Sequence, residues 1–214
     1  MPIEYIIVEF AVLLFSLCVH EFAHAWTANM CGDDTARLMG RMSLNPAVHI
    51  DPIGTVVFPL AAMVMGSSFL FGWAKPVPVN PRRFNNYRRD DILVSLAGIA
   101  CNLLLAFFAA IMLRTFYVIG QFPFRDQVVF ILRFLMLINV ILATFNLIPI
   151  PPLDGSHVLY HYLPVQAASK FRMLEQYGFI ILLLFLMTGV FGIIITPPLR
   201  LFSLIAGPLG YFRF

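Results

Sequence analysis

Hydrophobic and polar positions follow one another along this chain in long blocks, and several blocks have the length that a lipid bilayer demands. A helix needs about 20 largely apolar residues to cross the hydrocarbon layer. Residues 5 to 30, 92 to 118 and 128 to 148 meet that length as helices, and GFIILLLFLMTGVFGIIIT, 178 to 196, predicts a fourth span. The tail PPLRLFSLIAGPLGYFRF, 197 to 214, is apolar but broken by Pro208 and two glycines, which predicts an interfacial or re-entrant segment. Residues 53 to 71, IGTVVFPLAAMVMGSSFLF, are long enough to cross yet carry Pro59 and Gly66. Polar stretches rich in Pro, Asn and Arg separate the runs, notably KPVPVNPRRFNNYRRDD at 75 to 91, and no internal repeat is evident.

Composition sharpens this pattern into a class. The 214 residues are 60% hydrophobic and 12% charged, against roughly 25% charged in an ordinary soluble domain. The expectation is an all-α membrane protein, a polytopic transmembrane helix bundle with a re-entrant or membrane-associated segment between its first and second core helices. It is read as one integral domain over residues 1 to 214, with a core at 5 to 160 and C-terminal helices at 161 to 214. A net charge of +3 is too small to point to nucleic acid. The basic residues fall between apolar runs, as expected beside anionic lipid head groups. Cys18, Cys31 and Cys101 form no CxxC pair and read as small buried hydrophobes. Glu4 and Glu9 stand where a signal peptide would be basic, so the first helix is expected to remain in the mature protein.

Within the first apolar helix lies SLCVHEFAHAW, residues 16 to 26. His20 and His24 are four apart, so on a helix both rings leave one face about one turn apart, which is the geometry two imidazoles need to share a metal ion. Glu21 beside them can reach a metal-bound water without being a ligand, as the HExxH spacing allows. A glutamate at this depth costs roughly 2.5 to 3.5 kcal/mol on insertion scales unless it is paired or wet, so an accidental match is a poor explanation. Catalytic zinc sites typically take three protein ligands plus a water. The extended pattern HExxHxxGxxH fails here at Thr27 and Met30.

The remaining ligand must come from elsewhere: His49 or Asp51 in NPAVHIDPIG, Asp154, His157 or His161 in PPLDGSHVLYH, or Glu175. Asp154 is favoured by its setting, because Pro149, Pro151 and Pro152 break the helix that leads to it. Broken backbone at membrane depth survives only where it is buried in protein or lines a wet cavity. His157 and His161, also four apart, read as a pair on an interfacial helix facing head groups. His49 and Asp51 could cap a turn before Pro52, line a water entry with Asn45, or form a second polar layer about the site.

Parity constrains the topology. If the HEFAH helix and the helix before Asp154 deliver their C-terminal ends to one depth, they run in the same direction and the helix at 92 to 118 runs oppositely. Residues 31 to 91 then leave and return on one side, so 53 to 71 is not a single crossing. That side carries Arg37, Arg41, Lys75, Arg82, Arg83, Arg88, Arg89, Lys170 and Arg172, nine of the fourteen basic residues. Arg114, Arg125 and Arg133 belong opposite. The positive-inside rule accordingly turns the site toward the cytoplasm of a multi-pass cell-membrane protein.

HEFAH, the Gly98 to Asn102 spacing in LAGIACN, and FNLIPIPPLDG together resemble the site-2 protease family of intramembrane zinc metalloproteases, over residues 10 to 160. NPAVHIDPIGT and GWAKPVPVNP are similar to its short, minimal branch without an inserted PDZ domain. Ile99 stands where family members often have proline. The resemblance implies one Zn2+ per chain held by His20, His24 and Asp154, with Glu21 as the catalytic carboxylate and Asn146 and Asn102 as supporting amides. It implies cleavage of transmembrane segments of membrane-protein substrates. Read physically, Gly98 lets a neighbouring helix approach closely and Asn102 can hydrogen-bond across that contact, while Asn146 could donate to a developing oxyanion. An unwound substrate could add to an extended edge at TVVF or VPVN, although a plain proline-rich connector is the other reading. The rival functions are a membrane zinc transporter and a non-proteolytic metal-binding membrane protein.

Overall fold

The computed structural model describes residues 3 to 57, apart from the side chains of Ile3 and Val56, and residues 74 to 210. Every regular element among them is helical: α1 (Ile3–Met30), α2 (Thr35–Leu38), α3 (Tyr87–Ile119), α4 (Arg125–Asn146), α5 (Asp154–Tyr160), α6 (Val165–Met173), α7 (Gly178–Met187) and α8 (Val190–Ala206). Among the described residues four stretches are long and apolar enough to cross a membrane: Glu4–Met30, Tyr87–Ile119, Arg125–Asn146 and Val190–Gly210. The protein is therefore a multi-pass helical bundle.

Local chemistry sets the ends of these helices. The Asn86 side chain accepts the Arg89 N–H at 3.1 Å and opens α3, filling one of the donors that every helix start leaves unpaired. Gly120, with φ +86°, closes it in a conformation that L side chains rarely adopt. Along α3, Ala106, Ala109, Ala110 and Leu113 recur at helical spacing and are fully buried. They face Val129, Leu132, Met136 and Val140 of α4 and Ile195, Leu199, Phe202 and Ala206 of α8. Lipid tails are as apolar as these side chains, so close backbone approach over small residues, not escape from water, holds such helices together. A polar link reinforces the bundle where Asn139 Nδ2 donates to the Ser16 hydroxyl at 2.8 Å between α4 and α1.

Contacts along the helices give their directions. Tyr5 stacks edge-on with Phe130 at 4.6 Å between centroids, Asn139 meets Ser16, and Asp154 meets His20 and His24. Residue numbers rise together, so α1 and α4 are parallel. By contrast His24 meets Val94 while His20 meets Asn102, so α3 runs against α1. The chain returns between them to the end it left: Asn85 N–H donates to the Cys31 carbonyl at 2.9 Å, and Lys75 N–H to that of His49 at 2.8 Å. These are the relations that the parity argument required. The re-entrant or membrane-associated segment expected at 53 to 71 lies, from residue 58 onward, outside the described residues.

Two expectations need correction. Residues 178 to 196 do not form one span. Thr188 and Gly189 separate α7 from α8, with Gly189 in the left-handed region at φ +73°, and α7, at ten residues or about 15 Å, is too short to cross. The tail is not wholly interfacial either, because α8 carries the fourth span through Pro197 and Pro198 as far as Ala206. Proline forfeits a backbone hydrogen bond, but neighbouring helices and hydroxyl side chains re-satisfy the backbone in membranes. Ile195 and Leu199 pack into the core on either side of the pair, and Thr196 donates to the Gly192 carbonyl at 2.7 Å.

Candidate metal centre

The centre forms where the last turns of α1 meet the start of α5 against the first half of α3. His20 Nε2 lies 3.3 Å from Asp154 Oδ2, and His24 Nε2 lies 3.4 Å from the same oxygen. The two Nε2 atoms are 2.9 Å apart. Both imidazoles are buried and Asp154 is nearly so. Among the described residues this is the one group of three His, Cys, Asp or Glu whose ligand atoms converge.

Hydrogen bonds on the far side of each ring decide what those atoms can do. His24 Nδ1 is 2.7 Å from the Val94 carbonyl, which can only accept, so Nδ1 carries the proton. His20 Nδ1 faces Asn102 Oδ1 at 3.2 Å in the same sense. In the neutral rings both Nε2 atoms then present lone pairs, and Asp154 Oδ2, buried without a hydrogen-bond partner, presents a third. Three lone pairs within 3.4 Å of one another repel unless a proton or a metal cation sits among them. The donor set, two imidazoles and a carboxylate with both tautomers fixed from behind, fits a zinc ion with one position open.

Gly98 makes this closure sterically feasible. A Cβ added there would lie 2.5 Å from His24 Nε2, 2.6 Å from His20 Cε1 and 2.7 Å from His20 Nδ1. Gly155, next to Asp154, is equally constrained, since its Cβ would collide with the Leu147 carbonyl. The start of α5 is thus folded tightly over the backbone of the proline-broken link.

Glu21 is half-buried on the same turn, and its Oε2 accepts the Val77 N–H at 2.8 Å. Val77 lies in VPVN, between Pro76 and Pro78, which have no N–H to offer. VPVN belongs to no strand, and its Val77 donor is committed to Glu21, not free for a substrate edge; TVVF forms part of the helical turn Pro52–Val57 and runs on into the residues not described. Asn146 ends α4 with its amide donating to the Leu142 carbonyl at 3.0 Å, so one amide hydrogen is engaged within its own helix.

Other sequence candidates lie elsewhere. The Asp51 carboxylate accepts the Ile53 and Gly54 N–H groups at 3.0 and 2.7 Å, capping the turn before Thr55. His49 is fully buried with Nε2 on the Ser43 carbonyl at 2.7 Å, and Asn45 caps the Pro46–Val48 turn through Ala47 N–H. These three build the loop and are not in the cluster. Glu175 is exposed in a turn before α7. His157 and His161 do not form a pair facing head groups. His161 is buried with Nε2 2.6 Å from Asp91 Oδ2, while His157, half-exposed, has Nδ1 3.8 Å from that oxygen. The Asp91 carboxylate draws the His157 pKa above its ordinary value.

The sequence reading missed Asp91 and the Val94 carbonyl. A signal existed, for Asp91, Val94, Gly98 and Asn102 share one helical stripe at spacings of three, four and four.

Spanning helices gathered about three converging ligand groups define a multi-pass membrane protein with a candidate metal centre at one end of its bundle. Comparison with known proteins gives the family. The model for peptidase family M50 matches residues 8–124 and 118–189. YwhC of Bacillus subtilis, which carries a provisional name as a zinc metalloprotease, is 36% identical over 208 residues, 92% of this chain and 91% of that protein. Rip2 of Mycolicibacterium smegmatis, named in the same way, is 32% identical over 190 residues, 87% and 70% of the two chains. Rip2 of Mycobacterium tuberculosis is 34% identical over 170 residues, 79% and 62%. No solved structure matches the chain at a significant level. The chain belongs to peptidase family M50, the family of the site-2 proteases, and that membership does not favour transport or a proteolytically silent role.

Proposed function

We propose that this protein is a zinc-dependent intramembrane endopeptidase of the HExxH type, acting as one domain on transmembrane segments of membrane proteins. His20, His24 and Asp154 would hold one zinc ion, and the observation that carries this reading is the convergence of three buried lone pairs backed by two fixed tautomers. Bound zinc supplies Lewis acidity, polarising a carbonyl and lowering the pKa of water toward about 7. Glu21 is the general base. Its carboxylate, oriented by Val77 N–H at 2.8 Å, takes a proton from the attacking water and returns it to the leaving amine nitrogen. Asn146 turns its remaining amide hydrogen to the developing oxyanion. Asn102 and Gly98 keep the histidines in register, and His49 and Asp51 shape the loop at the site's approach.

Substrate helices satisfy their own backbone, so a cleavable bond must lie where the helix unwinds, close to the membrane face that carries the site. The excess of basic residues at that end turns it toward the cytoplasm. Purified wild type and Glu21→Gln are the deciding pair. Both should hold one zinc per chain by elemental analysis, and cleavage of a transmembrane peptide should fall at least about 100-fold in the variant, the scale of general acid–base catalysis. Cleavage at the wild-type rate by Glu21→Gln would remove Glu21 from the chemistry.

A further inference from the structure

The three proposed ligands arrive on two elements of very different rigidity. α1 is a 28-residue helix locked to α3 and α4. α5 has seven residues and follows the broken link 147 to 153. A helix this short does not persist on its own, so contacts from outside must decide where Asp154 stands.

One such contact is the buried pair of Asp91 and His161. Asp91 Oδ2 is 2.6 Å from His161 Nε2, with the two side chains 9% and 5% exposed. A carboxylate so withdrawn from water is tolerated only when paired. Tyr87 and Tyr160 close on the His161 ring edge-on, at 5.1 and 5.4 Å between centroids, which restricts its rotation. His161 caps the C-terminal end of α5 and Asp154 begins it, so the pair grips the helix about 10 Å from its ligand end. At that end Gly155 lies against the Leu147 carbonyl. Asp91 also sits on the α3 stripe that holds the other two ligands: Val94 binds His24, Gly98 admits both rings, and Asn102 binds His20.

We propose that Asp91 is a positioning residue for the metal centre, setting through His161 where α5 lies and hence where the Asp154 carboxylate meets His20 and His24. One face of α3 would thereby register all three ligands, although Asp154 follows His24 by 130 positions in the chain. This inference rests on Asp154 being the third ligand.

The test uses the full-length purified protein as wild type, Asp91→Ala, Asp91→Asn, His161→Ala, Asp91→Ala/His161→Ala and, as a control, Asp154→Ala. Three quantities are read: hydrogen exchange over 154 to 161 in metal-free protein, the visible absorption and affinity of bound Co2+, and kcat and KM on a transmembrane peptide. Asp91→Ala and His161→Ala should each speed exchange in α5, shift the cobalt bands, weaken metal affinity about 10- to 100-fold and lower kcat with little change in KM. The double variant should be no more than about threefold worse than either single one, as for residues that act as a unit. Asp91→Asn keeps an acceptor for His161 and should recover most of the loss. Wild-type cobalt bands and kcat in His161→Ala would overturn the proposal, including the case where Asp91→Ala fails to fold. So would losses that multiply in the double variant. Failure of the wider reading looks different: Asp154→Ala with undiminished cobalt affinity would remove the ligand assignment, and this proposal with it. A normal Asp154→Ala defect beside a silent His161→Ala would overturn the present proposal alone.

Discussion

Replacing Gly98 by alanine adds a single methyl group where α3 packs against the rings of His20 and His24. The added Cβ would stand 2.5 Å from His24 Nε2 and 2.6 Å from His20 Cε1, roughly 1 Å inside the ~3.5 Å at which non-bonded carbon atoms pack best. Neither ring can turn away cheaply, because His24 Nδ1 is bonded to Val94 and His20 Nδ1 to Asn102, both on the same helix as the new methyl group. The helices must separate or the rings must leave their bonds. Overpacking of a filled site costs about 1 to 3 kcal/mol, and a displacement of about 1 Å at a reacting centre costs on the order of 100-fold in rate. Gly98→Ala should therefore fold with a lower melting temperature, hold less than one zinc per chain and cleave a transmembrane peptide about 100 times more slowly. The assays are thermal unfolding in detergent, elemental analysis and single-turnover cleavage. Full zinc occupancy with kcat within twofold of wild type would refute the claim that this glycine is needed for ring closure.

Gly155→Ala should act at the other side of the centre, since its methyl group meets the Leu147 carbonyl; zinc occupancy should fall with α1 intact, which elemental analysis and circular dichroism together would check. His157 has a raised pKa through the Asp91 carboxylate, so its protonated form adds stability below the unfolded value of about 6.5 that is lost as pH rises through the higher folded value. Melting temperatures measured across that window should decline with rising pH, and His157→Gln should flatten this part of the curve; an unchanged slope would count against the pairing. Cysteines introduced at the exposed positions Met39 and Asn86 should both react with an impermeant reagent only from the cytoplasmic face, and labelling from opposite faces would contradict the shared end of α1 and α3.

The amino-acid sequence by itself determined what is local. His20 and His24 share a helix face because the helical period puts every fourth residue there, and Glu21 adjoins them for the same reason. Pro149, Pro151 and Pro152 break the chain ahead of Asp154 wherever the bundle places it. Blocks of apolar residues made the chain a membrane protein, since hydrocarbon tolerates only backbone that bonds to itself. Tertiary structure decided which faces meet. The run at 178 to 196 is continuous in hydropathy, yet Gly189 turns left-handed and hands the span to α8, where packing of Ile195 and Leu199 outweighs Pro197 and Pro198. His157 and His161 have the same spacing as the HEFAH pair, but the docking of α5 on α3 buries one against Asp91 and leaves the other half in solvent. Asp91 and the Val94 carbonyl were hidden for a related reason: their roles depend on partners 70 residues away in each case, and periodicity along one helix says which residues share a side, not what that side will touch.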